Sequence, residues 1–458
     1  MISTPATPID VALRAALKRR RQRLAQRCDF PVALWSGQAA PRNFPANRYP
    51  FRASSHFLYF AGLPLQNAVI YLHQGQLALF MDDASPDSEL WHGKTPGREA
   101  IAEAVGADSA YPLADLPKHL QQPIATLSLG PLHQAQAKAL GRATGSAPTP
   151  ADQALAAAIV HLRLAHDEQA LAEMRRAAAV TVEAHLAGMA HTRSAVREAG
   201  VRSAMEGVIL AHDMTTAYSS IVTVCGEVLH SDRYHNALSD GDLMLADVGA
   251  ETPLGWAADV TRTWPVSGQF SQTQREIYDL VLAAHDSAIA LLKPGIEYRD
   301  VHWQACRVLT EGLVDLGILR GSVDALLEQD AHALFFPHGV GHLLGLDVHD
   351  MEDLGDVAGY AANRSRSPRF GLGYLRLDRP LQAGMVVTIE PGFYQVPAIL
   401  NDPKRRSRYE VVNWQRLGQF ADVRGIRIED DVLITPDGSE TLTAALPTAA
   451  AAVESLVF

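Results

Sequence analysis

The segment Leu243–Trp264, LMLADVGAETPLGWAADVTRTW, is the strongest constraint on how this chain folds. An apolar strand delivers Asp247. The turn-rich stretch Thr252-Pro253-Leu254-Gly255 follows, and the chain returns through Trp256 to Asp259. A hairpin of this kind can set the two aspartates close together across antiparallel strands. Close carboxylates repel unless they share a proton or a cation. Either aspartate alone reads as a solvated strand end. The pair, at the ends of apolar strands, weakens that reading without removing it.

Three further segments carry polar residues of the same kind. Phe335–Asp350, FFPHGVGHLLGLDVHD, crowds His338, His342 and His349 together, with Gly339 and Gly341 permitting unusual turns and close backbone approach. A lone histidine would read as structural or exposed. Val386–Tyr394, VVTIEPGFY, is an apolar strand that presents Glu390 and is stopped by Pro391-Gly392. Gly425–Thr435, GIRIEDDVLIT, reads as one strand with Arg427 and Glu429 on one face and Ile426 and Ile428 on the other. An Arg427–Glu429 ion pair is the plain alternative there. Together Asp247, Asp259, Glu390 and Glu429 supply four carboxylates and His342 an imidazole. Oxygen-rich sites with one nitrogen suit manganese or a similar divalent ion. Four carboxylates need more positive charge than one cation provides. Two bridged metals match the charge better and can acidify a bridging water. No HExxH motif is present.

The rest of the chain supplies a frame for these segments. Its 458 residues suggest two or three domains, and the net charge of −11 disfavours a nucleic-acid partner. Lys18, Arg19, Arg20, Arg21, Arg23 and Arg27 form a local basic exception, read as a solvated helix face or a partner contact. No apolar run is long enough to span a membrane, and Met1–Asp10 lacks the order of a signal peptide. The three cysteines, Cys28, Cys225 and Cys306, have no zinc-site spacing and make a poor disulfide framework, so a cytoplasmic location is expected.

Strands are predicted at 31–35, 67–73 and 76–81, a helix at 99–105, and a linker at Thr144–Pro150. Long helices follow at 167–190, 195–211, 272–292 and 301–316, with strands at 220–224, 243–248 and 385–390. The mixture predicts an α+β protein, with an N-terminal α/β domain and linker over 1–160 and a catalytic domain over 161–458. Gly93-Lys94-Thr95 is not a phosphate loop, because Ser88 stands where its first glycine belongs. Gly339, Gly341 and Gly345 do not have dinucleotide-binding spacing.

The order Asp247, Asp259, His342, Glu390, Glu429 resembles the proline-directed metallopeptidases of the pita-bread fold, the aminopeptidase P and Xaa-Pro dipeptidase (prolidase) family. The resemblance covers the whole chain and is most specific from about Asp167 onward. It implies that Asp247 ligates one metal and that Asp259 and Glu429 bridge two. His342 and Glu390 would hold the other, with Glu390 also the general base. His230, in GEVLHSD, matches a histidine near the substrate. His338 and His349 match histidines that contact substrate or stabilise the tetrahedral intermediate, and Arg427 matches an arginine that supports the metal carboxylates. Two departures stand away from the ligands. The Asp247–Asp259 interval is one residue longer than the family pattern, and His191-Thr192-Arg193 replaces a proline-glycine helix entry.

Within the family, several features resemble the dipeptidase branch. These are the insert Met351–Pro380, the long gap between Glu390 and Glu429, Tyr374-Leu375-Arg376, and Asn413-Trp414-Gln415. In that branch an arginine matching Arg376 binds the substrate's C-terminal carboxylate. Tyr49-Pro50-Phe51-Arg52 through Phe60-Ala61-Gly62 resembles the N-terminal domain of aminopeptidase P as well as some prolidases. The expectation is a two-metal Xaa-Pro dipeptidase, with aminopeptidase P acting on longer peptides as the alternative. A metal-free creatinase-like hydrolase or a binding module on the same fold is the alternative of another class. The expected cofactor is a pair of Mn2+ ions, with Co2+ or Zn2+ as substitutes. The expected partners are proline-containing dipeptides or short peptides, with no nucleic acid, no membrane, and a homodimer or higher homo-oligomer.

Overall fold

The computed structural model describes residues 9–120, 123–130, 133–143 and 145–458. The signal-peptide reading of the first residues and the start of the linker at Thr144 lie largely or wholly outside them. The chain forms two compact units, one of Met1–Gln169 with Pro253–Gly255 and one of Ala170–Thr252 with Trp256–Phe458.

The first unit holds a four-stranded sheet. Its order is Val32–Trp35, Val69–His73, Gln76–Phe80, Ser109–Tyr111, antiparallel except for the last pair. Gln74 and Gly75 join the central hairpin with φ of 50° and 80°, the left-handed pair that matches the twist of the flanking strands. The helix Val11–Ala25 starts where Asp10 accepts the Leu13 N–H. The basic run on this helix is not uniformly solvated. Arg20 and Arg21 are buried. Arg20 forks onto both carboxylate oxygens of Asp167, and Arg21 donates to the carbonyls of Phe60, Val105 and Gly106.

Burial lowers the Arg21 pKa to about 10, still charged at neutral pH. Its guanidinium satisfies three carbonyls that end other elements. Arg21→Ala is therefore expected to cost on the order of 3 kcal/mol, read as a lower urea midpoint, with Arg21→Lys recovering part of it. The breaker-rich run before Pro150 ends as a helix entry. Thr149 and Asp152 form a capping box, and Pro150 takes the first helical position.

In the second unit, the helix Gln272–Ala290 begins with a Ser271/Gln274 capping box. The strands Thr261–Pro265, Leu243–Asp247 and Ile221–Thr223 form one antiparallel sheet in that order. Trp264 is buried in the core behind it, and its indole donates to Thr192 in the unusual 191–193 entry.

The segment predicted as one strand at 425–435 is two. Gly425–Arg427 pairs with Gly392–Tyr394, whereas Asp430–Ile434 pairs with Val386–Ile389. Both partners break at the same level, leaving Glu390-Pro391 opposite Ile428-Glu429. Proline has no N–H for the ladder. The two glutamate N–H groups leave it too, to Val340 and Thr261 carbonyls respectively. The break carries both side chains to the same place as the aspartate hairpin.

Candidate metal centre

The hairpin forms as its spacing predicts. Asp247 lies opposite Thr261 in the antiparallel register, and Val248 N–H donates to Val260 across the strands. The Tyr218 hydroxyl lies 2.6 Å from Asp247 Oδ1 and 2.5 Å from Asp259 Oδ1. One phenolic proton serves two carboxylates, which places the acids in immediate contact with a common group. Asp247 Oδ2 also accepts from Arg427 at 2.5 Å. Arg427 pairs there and not with Glu429, so the plain ion-pair alternative within that strand does not form. Thr261 Oγ1 joins the two instead, donating to Glu429 at 2.7 Å and accepting from Arg427 Nε at 3.0 Å.

His342 enters from the histidine segment. Its Nδ1–H donates to the Leu343 carbonyl, which turns Nε2 towards Asp259 Oδ2 at 3.4 Å and Glu390 Oε1 at 3.8 Å. The segment fits there because Gly341 has no side chain. A Cβ would stand 2.1 Å from the Thr388 carbonyl oxygen. Donor atoms of Asp259, His342 and Glu429 lie within 4.8 Å of one another. Asp247 and Glu390 flank this triad through Tyr218 and His342. All five residues line one cavity of about 310 Å³.

The electrostatics of this cluster favour a cation. Burial pushes up the pKa of Asp247 and raises that of Glu390 to about 7. Glu429 rises well above the ordinary range through burial and its neighbours Asp259 and Glu390. Burial acts in the same direction on Asp259, but the His342 hydrogen bond and charge together with the Tyr218 hydroxyl outweigh it and hold this carboxylate low. Against its own burial, His342 is raised by that bond together with the charges of Asp259 and Glu390. Arg427 and His342 alone do not balance four buried carboxylates. The oxygen-rich donor set, with one imidazole, fits divalent cations of the manganese type.

The remaining residues singled out in the sequence line the same cavity. They are His230, His338, His349 and Arg376. His338 has both ring nitrogens engaged, Nδ1 with the Gly339 carbonyl at 2.8 Å and Nε2 with the Tyr394 hydroxyl at 2.9 Å. Burial and Arg427 hold it at about 3, so it is neutral. Arg427 donates to the Tyr394 hydroxyl in turn. His349 places Nδ1 2.9 Å from Glu352, and burial beside His342 and Arg376 keeps its pKa far down. Burial also lowers His230. The Arg376 guanidinium is bonded to Glu352.

Sequence reasoning missed Tyr218, Thr261, Asp431 and Glu352. Asp431 accepts the Asp259 N–H on both carboxylate oxygens, each at 3.2 Å. A third acid in the run Glu429-Asp430-Asp431 was a visible signal for it. Tyr218 stands alone in its segment and offered none.

Comparison with known proteins is consistent along the whole chain. The family described as Metallopeptidase family M24 matches residues 172–436, and the one described as Aminopeptidase P, N-terminal domain matches residues 17–129. The Xaa-Pro aminopeptidase of Escherichia coli is 32% identical over 97% of this chain and 98% of its own. That of Haemophilus influenzae is 33% identical over 96% of each. The solved structure of aminopeptidase P from E. coli with the inhibitor Pro-Leu superposes with a TM-score of 0.80 at 30% identity, covering 97% of this chain and 98% of that one.

Proposed function

Because the chain belongs to metallopeptidase family M24, with an aminopeptidase P-type N-terminal domain ahead of a pita-bread catalytic domain, we propose that it is an Xaa-Pro aminopeptidase. It would release the N-terminal residue from peptides whose second residue is proline. End-to-end correspondence with Xaa-Pro aminopeptidases carries this reading. It favours the longer-peptide alternative over the dipeptidase expected from the 351–380 insert. Arg376 in the cavity wall is the observation that favours the dipeptidase as a second reading.

In this reading two Mn2+ ions are held by five residues. Asp247, Asp259, His342, Glu390 and Glu429, which line one cavity, would hold them. When bound, such a pair supplies an acidified water and Lewis-acid polarisation of the scissile carbonyl. Glu390 accepts the proton of the attacking water. Tyr218 and Thr261 fix the acids through their hydroxyls, and Arg427 offsets part of their charge. His338, held neutral by burial and Arg427 and bonded to the Tyr394 hydroxyl, stands 3.7 Å from Glu390 Oε2 and contacts the peptide as the proton moves. His230 and His349 contact the peptide from the other cavity walls.

The test compares Ala-Pro, Ala-Pro-Ala and longer Ala-Pro peptides with the manganese-loaded protein. The expected result is faster release of alanine from the tripeptide and longer chains than from the dipeptide. Preference for Ala-Pro would restore the dipeptidase reading.

A further inference from the structure

Two arginines line the catalytic cavity, Arg427 and Arg376. Arg427 is buried and committed to Asp247, Thr261 and Tyr394. Arg376 is half-buried, and its guanidinium meets the carboxylate of Glu352. The same carboxylate takes His349 Nδ1 at 2.9 Å through its other oxygen. Glu352 thus ties together two side chains of the cavity wall.

The surroundings hold Glu352 in this place. It begins the short turn Glu352–Leu354, entered through Met351 at a φ of 61°. Met351 is fully buried although a residue with a Cβ pays for left-handed backbone. Its burial anchors the turn against the cavity wall. Arg366 backs the pair, 4.0 Å from Glu352 and 2.8 Å from Asp356, and donates to the Leu375 carbonyl beside Arg376.

We propose that Glu352 is a specificity-determining residue: it occupies Arg376 with a carboxylate of the protein's own and so disfavours substrates whose carboxylate directly follows proline. The inference rests on the Xaa-Pro cleavage proposed above and deepens it. In a dipeptide, the only anion is the proline carboxylate, and it must find a cation once buried. In longer peptides an amide stands at that position and needs none. A tethered carboxylate competes at high effective concentration against a dissolved one. With Glu352 in place, a dipeptide carboxylate enters a wall whose guanidinium is already neutralised, near several acidic side chains.

Glu352→Gln tests this. Glutamine keeps the shape and an acceptor for His349 Nδ1–H but removes the charge that neutralises Arg376. The readout is the kcat/KM ratio of Ala-Pro to Ala-Pro-amide, two substrates that differ only in the carboxylate, measured with the manganese-loaded full chain. The variant is expected to raise this ratio about tenfold or more, and Glu352→Gln with Arg376→Ala is expected to return it to the wild-type value. Melting temperatures check that both variants fold, and Glu352→Asn serves as a second charge-free variant. An unchanged ratio in both single variants overturns the proposal. So does an equal rise when Arg376 is also removed. Wild-type cleavage of Ala-Pro-Ala alongside an unchanged ratio overturns the Glu352 role alone. Failure of the wild type on every Xaa-Pro substrate overturns the aminopeptidase reading and this inference with it.

Discussion

Replacing Glu390 with glutamine is expected to lower kcat by roughly 10²–10⁴-fold while leaving the fold intact. Glutamine matches glutamate in size, and the Glu390 N–H bond to Val340 belongs to the backbone and survives the change. What is lost is a proton acceptor and a negative charge in a buried cluster. Cation content of the purified variant separates the two effects. A variant that retains cations but does not turn over assigns the loss to proton transfer. Near-normal turnover would place the base elsewhere in the cavity. His338 is a poor substitute, since both of its ring nitrogens are already engaged.

Exhaustive chelation is expected to abolish activity, and manganese to restore it. The same titration should be visible in stability, with a sign that follows from the carboxylates. Burial raises Asp247, Glu390 and Glu429, with Glu390 reaching about 7. In the cation-free fold these groups keep protons that the unfolded chain has already released. At these three groups the folded state binds more protons than the unfolded state, so their contribution to stability falls as pH rises from the ordinary carboxylate range to about 7. Asp259, held low, and His230, His338 and His349, held neutral, contribute in the opposite sense, so the acids' contribution is read from the difference between chelated and manganese-loaded protein.

Cations replace those protons. Their stabilisation should therefore grow with pH, reaching about 2.7 kcal/mol where the free ion exceeds its dissociation constant a hundredfold. Thermal melting of chelated and manganese-loaded protein at pH 6 and pH 8 checks this. A larger manganese-induced shift at pH 6 would contradict the protonation account. Full activity after chelation, with no metal detectable, would end the metal mechanism.

The acids and the histidine that converge on one cavity were legible as candidates in the sequence because acids and histidines inside apolar strands are locally anomalous. Desolvation makes such residues expensive, so their placement needs a chemical reason that a short window can reveal. The Asp247–Asp259 hairpin was legible for a related reason, since turn residues between two apolar runs specify antiparallel pairing.

Partnership was not legible. Arg427 finds Asp247 at a separation of 180 residues, and Tyr218 reaches across to Asp259 from a segment with no motif. The break that turns 425–435 into two strands depends on a second break at Glu390-Pro391 in a distant partner. Arg20 and Arg21 read as solvated because a run of cations is usually exposed, but Asp167 and three carbonyls bring them inside. Arg376 shows the same limit at the site itself. The sequence supplied a cation in the right insert, and only the fold set Glu352 against it. Residue type and local period determine which chemistry a segment can offer. Which groups share a charge is decided by chain crossings that bring distant segments within a few ångströms, where Coulomb and desolvation terms become large.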